Sequence, residues 1–270
     1  MRFIIMLILS PCFLFSQKQV SVDQYKQMIE EALNSDSKSS ALSPDIRIER
    51  ISGTVNISTS YEEETTLSNN YQYPIETGDV IKTASDGAVN IYINNTGIIR
   101  LERNSEIEIS DASNDIIFSL SSGIMIAKIE RLKERMTLRV KTPQALCVIS
   151  GGEFAIEHTK FKNETVAGIF DEGEMKVYPG EDENEENLLK LSKNNEVSLS
   201  SDSRHKRVIK LSKLSSYKRY ISDDKKRLIN YKKKWKRFSA SEKEKYRQSL
   251  FAKKANQRNK KTAKNKDMEE

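Results

Sequence analysis

Glycine and proline are missing from the last ninety residues of this 270-residue chain. All ten glycines lie between Gly53 and Gly180, and the last of the five prolines is Pro179. Turn-rich structure is therefore confined to the middle of the chain, and the C-terminal third contains neither helix breaker. Cysteine is nearly absent: Cys12 and Cys147 cannot build a disulfide framework. The two histidines, His158 and His205, are isolated. No C-x-x-C, H-E-x-x-H, phosphate-loop or nucleophile-elbow spacing occurs. Gly151-Gly152-Glu153-Phe154 echoes a diguanylate cyclase loop, but it is one residue short and flanked by strand pattern, so it reads as a structural turn. No catalytic residue, metal site or cofactor can be assigned, and the expectation is a non-enzymatic protein. No apolar run reaches eighteen residues, which excludes a polytopic membrane protein.

Acidic residues are scarce at one end only. Residues 204–266 hold 25 Lys/Arg against 4 Asp/Glu, a net of +21, whereas residues 1–203 carry a net of −12. The overall +6 describes neither part.

At the N-terminus, Arg2 precedes an apolar stretch from Phe3 to Phe15, too short for a 30 Å bilayer core and followed by Ser16-Gln17. This is the pattern of a cleaved secretory signal over residues 1–16. Leu9-Ser10-Pro11-Cys12 offers an alternative, a lipoprotein signal acylated at Cys12, although proline before the cysteine fits it poorly. Export to the periplasm, outer envelope or medium is expected, with no membrane span after cleavage.

Residues 17–44 comprise a short amphipathic helix (Tyr25, Met28, Ile29, Ala32, Leu33 on one face) and a serine-rich linker. From Asp45 the apolar period changes to two: Ile46/Ile48, Val55/Ile57, Val89/Ile91/Ile93, Ile107/Ile109, Met136/Leu138/Val140 and Val197/Leu199. Ser85-Asp86-Gly87, Asn94-Asn95-Thr96-Gly97, Ser121-Ser122-Gly123 and Asp171-Glu172-Gly173 supply turn chemistry between these runs. Residues 45–200 thus read as an all-β domain, an antiparallel sandwich or roll of short strands. No stretch long enough for a helical crossover interrupts them, which excludes a parallel α/β fold. Thr77-Gly78-Asp79 reads as a turn whose carboxylate meets backbone N–H groups, and Pro143 as the start of an extended segment. Gly151-Gly152 reads as a bulge before Phe154 re-enters the core. Cys147, in the run Ala145 to Ile149, reads as a buried, inert thiol.

The ordered segments IETGDVIKT (75–83), GAVNIYINNTGIIRLERNSEIEI (87–109), LSSGIMIAKI (120–129), KTPQALCVISGGEFAIE (141–157) and VAGIFDEGEMKVY (166–178) resemble the FecR family of bacterial extracytoplasmic domains. The residues carrying the likeness are Gly78, Asp79, Thr142, Pro143, Gly151, Gly152, Phe154, Glu172 and Gly173. Ser150-Gly151-Gly152 stands where the family has Arg-Gly-Thr. The resemblance implies a sensing, binding or scaffolding module. Iron-uptake regulators of the family carry a cytoplasmic anti-sigma segment, whereas a signal beginning at residue 3 leads to the expectation of a secreted version without direct sigma-factor control.

Beyond Ser203 the pattern is helical. Leu228, Tyr231, Trp235 and Phe238 form a narrow apolar stripe, and Ser239-Ala240-Ser241-Glu242 is a capping box for a second helix. Residues 204–270 thus form a basic helical or partly disordered tail. Lys232, Lys233, Lys234, Trp235, Lys236 and Arg237 set an aromatic in a cationic block, the composition of a surface for anionic polymer or lipid. Another envelope protein is a further possible partner, and export argues against nucleic acid in the cell. Two other fates are open to such a tail: a solvated extension, or docking on its own acidic domain, with the run Glu181 to Glu186 as one source of partners.

Overall fold

The computed structural model describes residues 43–59, 64–68, 72–113, 115–130, 132, 136–180, 183–201 and 206–249. The expected signal, the first amphipathic helix, most of the linker, His205 and the chain from residue 250 lie outside them.

Fifteen strands are described. The first eight are β1 (Ile46–Ser52), β2 (Val55–Ser58), β3 (Thr65–Thr66), β4 (Gln72–Pro74), β5 (Val80–Thr83), β6 (Ala88–Ile93), β7 (Gly97–Leu101) and β8 (Glu106–Asp111). They are followed by β9 (Ile116–Ile129), β10 (Leu138–Thr142), β11 (Ala145–Thr159), β12 (Glu164–Pro179), β13 (Leu189–Leu191), β14 (Asn195–Ser200) and β15 (Val208–Lys210). Their main path runs β15-β14-β12-β11-β10-β9-β7-β6-β1-β4, while β8, β5, β2 and β3 branch from β9. Pairing is antiparallel except between β9 and β10, where Leu138 lies opposite Ile116. This parallel pair needs no helical crossover, because the remainder of β9 itself carries the chain back.

The period-two residues behave as their spacing requires. Ile46, Ile48, Val89, Ile91, Ile93, Ile107 and Ile109 all enter one buried core with Phe118 and Phe154. Each such side chain contributes about 1.5–3 kcal/mol relative to exposure. Cys147 is fully buried among them, and burial pushes its thiol up to about 12.

Glycine, however, serves a different purpose at two of the four expected turns. Ser121-Ser122-Gly123 lies inside β9 and Asp171-Glu172-Gly173 inside β12. Gly123 (φ +89°) and Gly173 (φ +106°) kink these long strands rather than ending them. Gly173 faces Gly152 (φ +121°), the expected bulge, where the β11 register slips on both sides. A Cβ on Gly152 would stand 2.5 Å from the Glu172 carbonyl oxygen. Pro143 also departs from expectation. It occupies the tight turn between β10 and β11, where its fixed φ suits the bend and the Thr142 hydroxyl accepts the Ala145 N–H at 3.0 Å.

After β15 a single 3₁₀ turn (Ser215–Tyr217) leads into α1 (Lys218–Lys234), and residues 240–249 form α2. The capping box forms: Ser239 Oγ accepts the Glu242 N–H at 3.2 Å, and Glu242 Oε2 accepts the Ser239 N–H at 2.8 Å. The expected four-residue stripe is split. α1 stops at Lys234 with Trp235 extended, so Trp235 and Phe238 lie beyond the helix, and its buried face is Ile221, Asp224, Leu228 and Tyr231. Among the described residues no helix is long and apolar enough to cross a membrane.

Candidate functional site: the tail on the outer face of the sheet

A sheet residue one step from the core points to the opposite face, and here that face is apolar too. Tyr92 and Ile98 form one small cluster with Leu228 and Tyr231, against which Trp235 packs. Ile124, Ile126, Ala155, Val166 and Phe170 form another with Leu214 and Ile221. A basic tail with an apolar stripe covers what a solvated sheet face would leave polar. The rings of Tyr92 and Tyr231 stack with centroids 4.1 Å apart, and the Tyr92 hydroxyl donates to Glu49 at 2.7 Å.

Chain direction into the tail is set by Glu196 on β14, 1% exposed. Its two oxygens accept the backbone N–H groups of Lys213 (2.9 Å) and Leu214 (3.1 Å). Gly168 lets Leu214 and Leu211 descend onto β12, since a Cβ there would lie 3.0–3.1 Å from their methyl groups. Along α1, Lys218, Lys225 and Lys232 recur every seven residues on one flank. They reach Asp171 (2.8 Å), Glu153 and Glu130 (2.5 Å) respectively. The lysine beside it holds the Asp171 carboxyl below its usual range, and Glu153 raises the Lys225 ammonium.

Two buried arginine contacts close the far end. Arg47, 4% exposed, binds the fully buried Asp45, donates to the Lys236 carbonyl and lies 3.5 Å over the Phe238 ring. Phe238 returns its N–H to Asp45 at 3.2 Å. Arg247 on α2 grips Asp79 with both terminal nitrogens (2.6 and 3.0 Å) and donates to the Pro74 carbonyl at 3.3 Å. Asp79 also accepts the Glu76 N–H at 2.9 Å across the turn at Gly78 (φ +90°). The turn carboxylate expected from the sequence is thus also the anchor of the tail. Midway, Asp224 is fully buried under α1, with no hydrogen bond to either oxygen and Arg100 at 3.8 Å. Burial raises its carboxyl to about 6, against the pull of Arg100 and Arg227.

The six tail residues singled out by sequence are not presented together. Lys232 is engaged by Glu130, Trp235 packs on the tyrosine cluster, the Lys236 carbonyl serves Arg47, and Arg237 donates to the Ser43 carbonyl. Lys233 and Lys234 are exposed, the latter lining a groove of about 360 Å³ with Glu49, Arg227 and Asn230. Of the fold motif, Thr142, Gly152 and Phe154 are buried and Pro143 is exposed. Gly151 and Gly173 lie on the bulge, and Glu172 takes Lys128 at the surface. The described part of the acidic run contacts the β-domain instead of the tail, with Glu183 on Arg139 and Glu185 on Tyr178. Sequence reasoning passed over Asp45, Arg47, Asp79 as a tail partner, Glu196, Asp224 and Arg247. Only Asp224 had a local signal, a carboxylate at a helical apolar position.

Among the described residues no group of three His, Cys, Asp or Glu side chains converges as metal ligands. Residues 79–172 match the FecR protein family. Two crystal structures described as a "putative anti-sigma factor from Parabacteroides distasonis" are similar to the chain. One shows 12% identity and a TM-score of 0.43 over 51% of this chain and 62% of its own. The other shows 13% identity and a TM-score of 0.44 over 56% and 74%. No curated protein sequence matches the chain.

Proposed function

With a FecR-family segment at residues 79–172 as premise, we propose that this protein is an exported, non-catalytic sensing or binding module of the bacterial cell envelope. Its basic tail is the element that meets anionic partners. The family relation supports a signalling or sensing role over catalysis. The observation that carries the tail's part is the row of Lys218, Lys225 and Lys232 on Asp171, Glu153 and Glu130. An anionic polymer of the envelope offers these lysines the same chemistry as the sheet rim, so partner binding and tail release are coupled through competition for one set of charges. Asp224, buried without a hydrogen bond, makes the docked state costlier than an apolar contact would be and favours exchange.

Binding of the full chain to heparin, lipopolysaccharide and duplex DNA at several salt concentrations tests this reading. On DNA, six phosphate contacts give a log–log slope of about −5. Glutamine at Lys232, Lys233, Lys234, Lys236 and Arg237 should flatten that slope, whereas the rim variant Glu130→Gln/Asp171→Asn should bind polyanion more tightly by freeing the tail. Absence of binding to all three at low salt overturns the proposal for the tail.

A further inference from the structure

The β11–β12 hairpin ends in Lys160-Phe161-Lys162, closed by Asn163 in the left-handed conformation. Phe161 is 97% exposed, the largest exposure of any large apolar side chain among the described residues. Lys160 and Lys162, both exposed, flank it in the chain.

Strand register places those cations at one end of the sheet. Gly123, the kink of β9, lies opposite His158, and Ser200, the last residue of β14, lies opposite Glu164, so β9 bends and β14 ends beside the hairpin tip. Arg103, in the β7–β8 turn, lines one open groove with Lys160 and Arg219. Lys206 and Arg207, both exposed, precede the Val208–Val197 pair and so run beside the last residues of β14. Of the acids at this end, Glu157 shares the groove and accepts the Tyr217 hydroxyl at 3.5 Å, and three others are paired with cations. Glu102 holds Arg100, Glu106 faces Lys82 and Lys160 at 3.6–3.7 Å, and Glu164 takes Lys213 at 2.5 Å.

We propose that this end of the sheet docks on an anionic lipid bilayer, with Phe161 entering the headgroup–acyl boundary and Arg103, Lys160, Lys162, Lys206, Arg207 and Arg219 meeting lipid phosphates. A single aromatic standing free among cations is the composition of an interfacial membrane contact, in which the ring is buried and the charges stay at headgroup level. A protein-binding hot spot would instead carry its aromatic inside an apolar patch. The site is separate from the tail's lysine row, and its test separates the two.

Co-sedimentation of the full chain with vesicles of phosphatidylglycerol–phosphatidylcholine, or of phosphatidylcholine alone, provides the measurement. Binding is expected on the anionic vesicles and at least tenfold weaker on the zwitterionic ones. Phe161→Ser should lower the partition coefficient about tenfold or more. Each of Lys160→Gln and Lys162→Gln should lower it about fivefold. Heparin has no apolar phase, so Phe161→Ser should leave heparin affinity unchanged, and the tail-neutralised variant should keep its Phe161-dependent vesicle binding. In Phe161→Trp, the added indole emission should shift to the blue on anionic vesicles. Vesicle binding that is indifferent to Phe161 and abolished by salt would reduce the contact to tail electrostatics and overturn the proposal. So would the absence of vesicle binding, which would leave this end to a protein partner. Loss of heparin binding alone would count against the tail's role and leave this site standing.

Discussion

Asp224 carries a charge into a place that offers it little. Both oxygens lack a hydrogen bond, Arg100 stands at 3.8 Å, and burial is the largest influence on its carboxyl, raising it to about 6. Arg100 and Arg227 oppose that rise, while Asp223 and Glu102 add to it. In the undocked or unfolded chain the same group returns to its ordinary value near 4. Between these limits the docked state binds more protons, so its stability falls as pH rises through that window. Docking is therefore strongest below about pH 4 as far as Asp224 is concerned, and it bears the full cost above about pH 6. That cost reaches about 3 kcal/mol at most. Asp224→Asn should remove this slope and raise stability at pH 7.5. Urea unfolding of both proteins at pH 5 and pH 7.5 measures it, the difference between them cancelling the contributions of other carboxylates. An identical pH dependence in the variant would show that Asp224 is not the titrating group.

Among the elements, the long strands show most clearly what was legible and what was not. Alternation was legible because a residue's side of a strand depends only on its own position, and Val89/Ile91/Ile93 and Ile107/Ile109 enter the core accordingly. The role of a glycine was less so. Gly87 closes a turn without a positive φ, whereas Gly123 and Gly173 share its local chemistry and use a positive φ to kink uninterrupted strands. The end of α1 was likewise hidden: no breaker precedes Trp235, and contacts far along the sequence hold Phe238 over Arg47 instead of continuing the helix. The tail's partners could not be read at all, since Asp45, Asp79, Glu130, Glu153, Asp171 and Glu196 differ from other acids only in where the fold puts them. The facing pair Gly152/Gly173 yields a prediction at this scale. A Cβ at Gly152 would combine φ +121° with a 2.5 Å contact to the Glu172 backbone oxygen, which no rotamer change relieves. Gly152→Ala should therefore cost more than about 2 kcal/mol of unfolding free energy, while Gly180→Ala, with nothing within 4 Å, should cost less despite its own positive φ. Chemical denaturation of the two variants decides the order, and equal costs would mean that close packing at the kink contributes nothing beyond strain.

For the molecule as a whole, a body of net −12 and a tail region of net +21 attract one another, yet the contacts that join them are of two kinds. Lys218 and Lys232 pair with carboxylates that are themselves 42–43% exposed, so each of these two pairs contributes no more than about 1 kcal/mol and is screened as the Debye length falls from about 10 Å at 0.1 M salt to about 3 Å at 1 M, whereas the Glu153 carboxylate that takes Lys225 is 1% exposed. Arg247 holds a carboxylate that is only 1% exposed, and the buried Arg47 and Asp45 take the Lys236 carbonyl and the Phe238 N–H, where mobile ions barely reach. Salt should accordingly loosen α1 before it frees α2. Amide exchange of the full chain reads both helices at once. From 0.1 to 1 M NaCl, exchange in α1 should quicken by up to about thirtyfold, the combined weight of the two exposed pairs, while α2 changes little. Arg247→Gln removes the α2 anchor, and exchange at residues 240–249 should then approach that of a free helix at either salt, with the apolar contacts of Ile221, Leu228 and Tyr231 still protecting α1. If α2 stays protected in Arg247→Gln, Asp79 is not what holds it. If α1 ignores salt in the native chain, the exposed pairs of Lys218 and Lys232 contribute nothing to docking and the tail is held by its buried contacts alone.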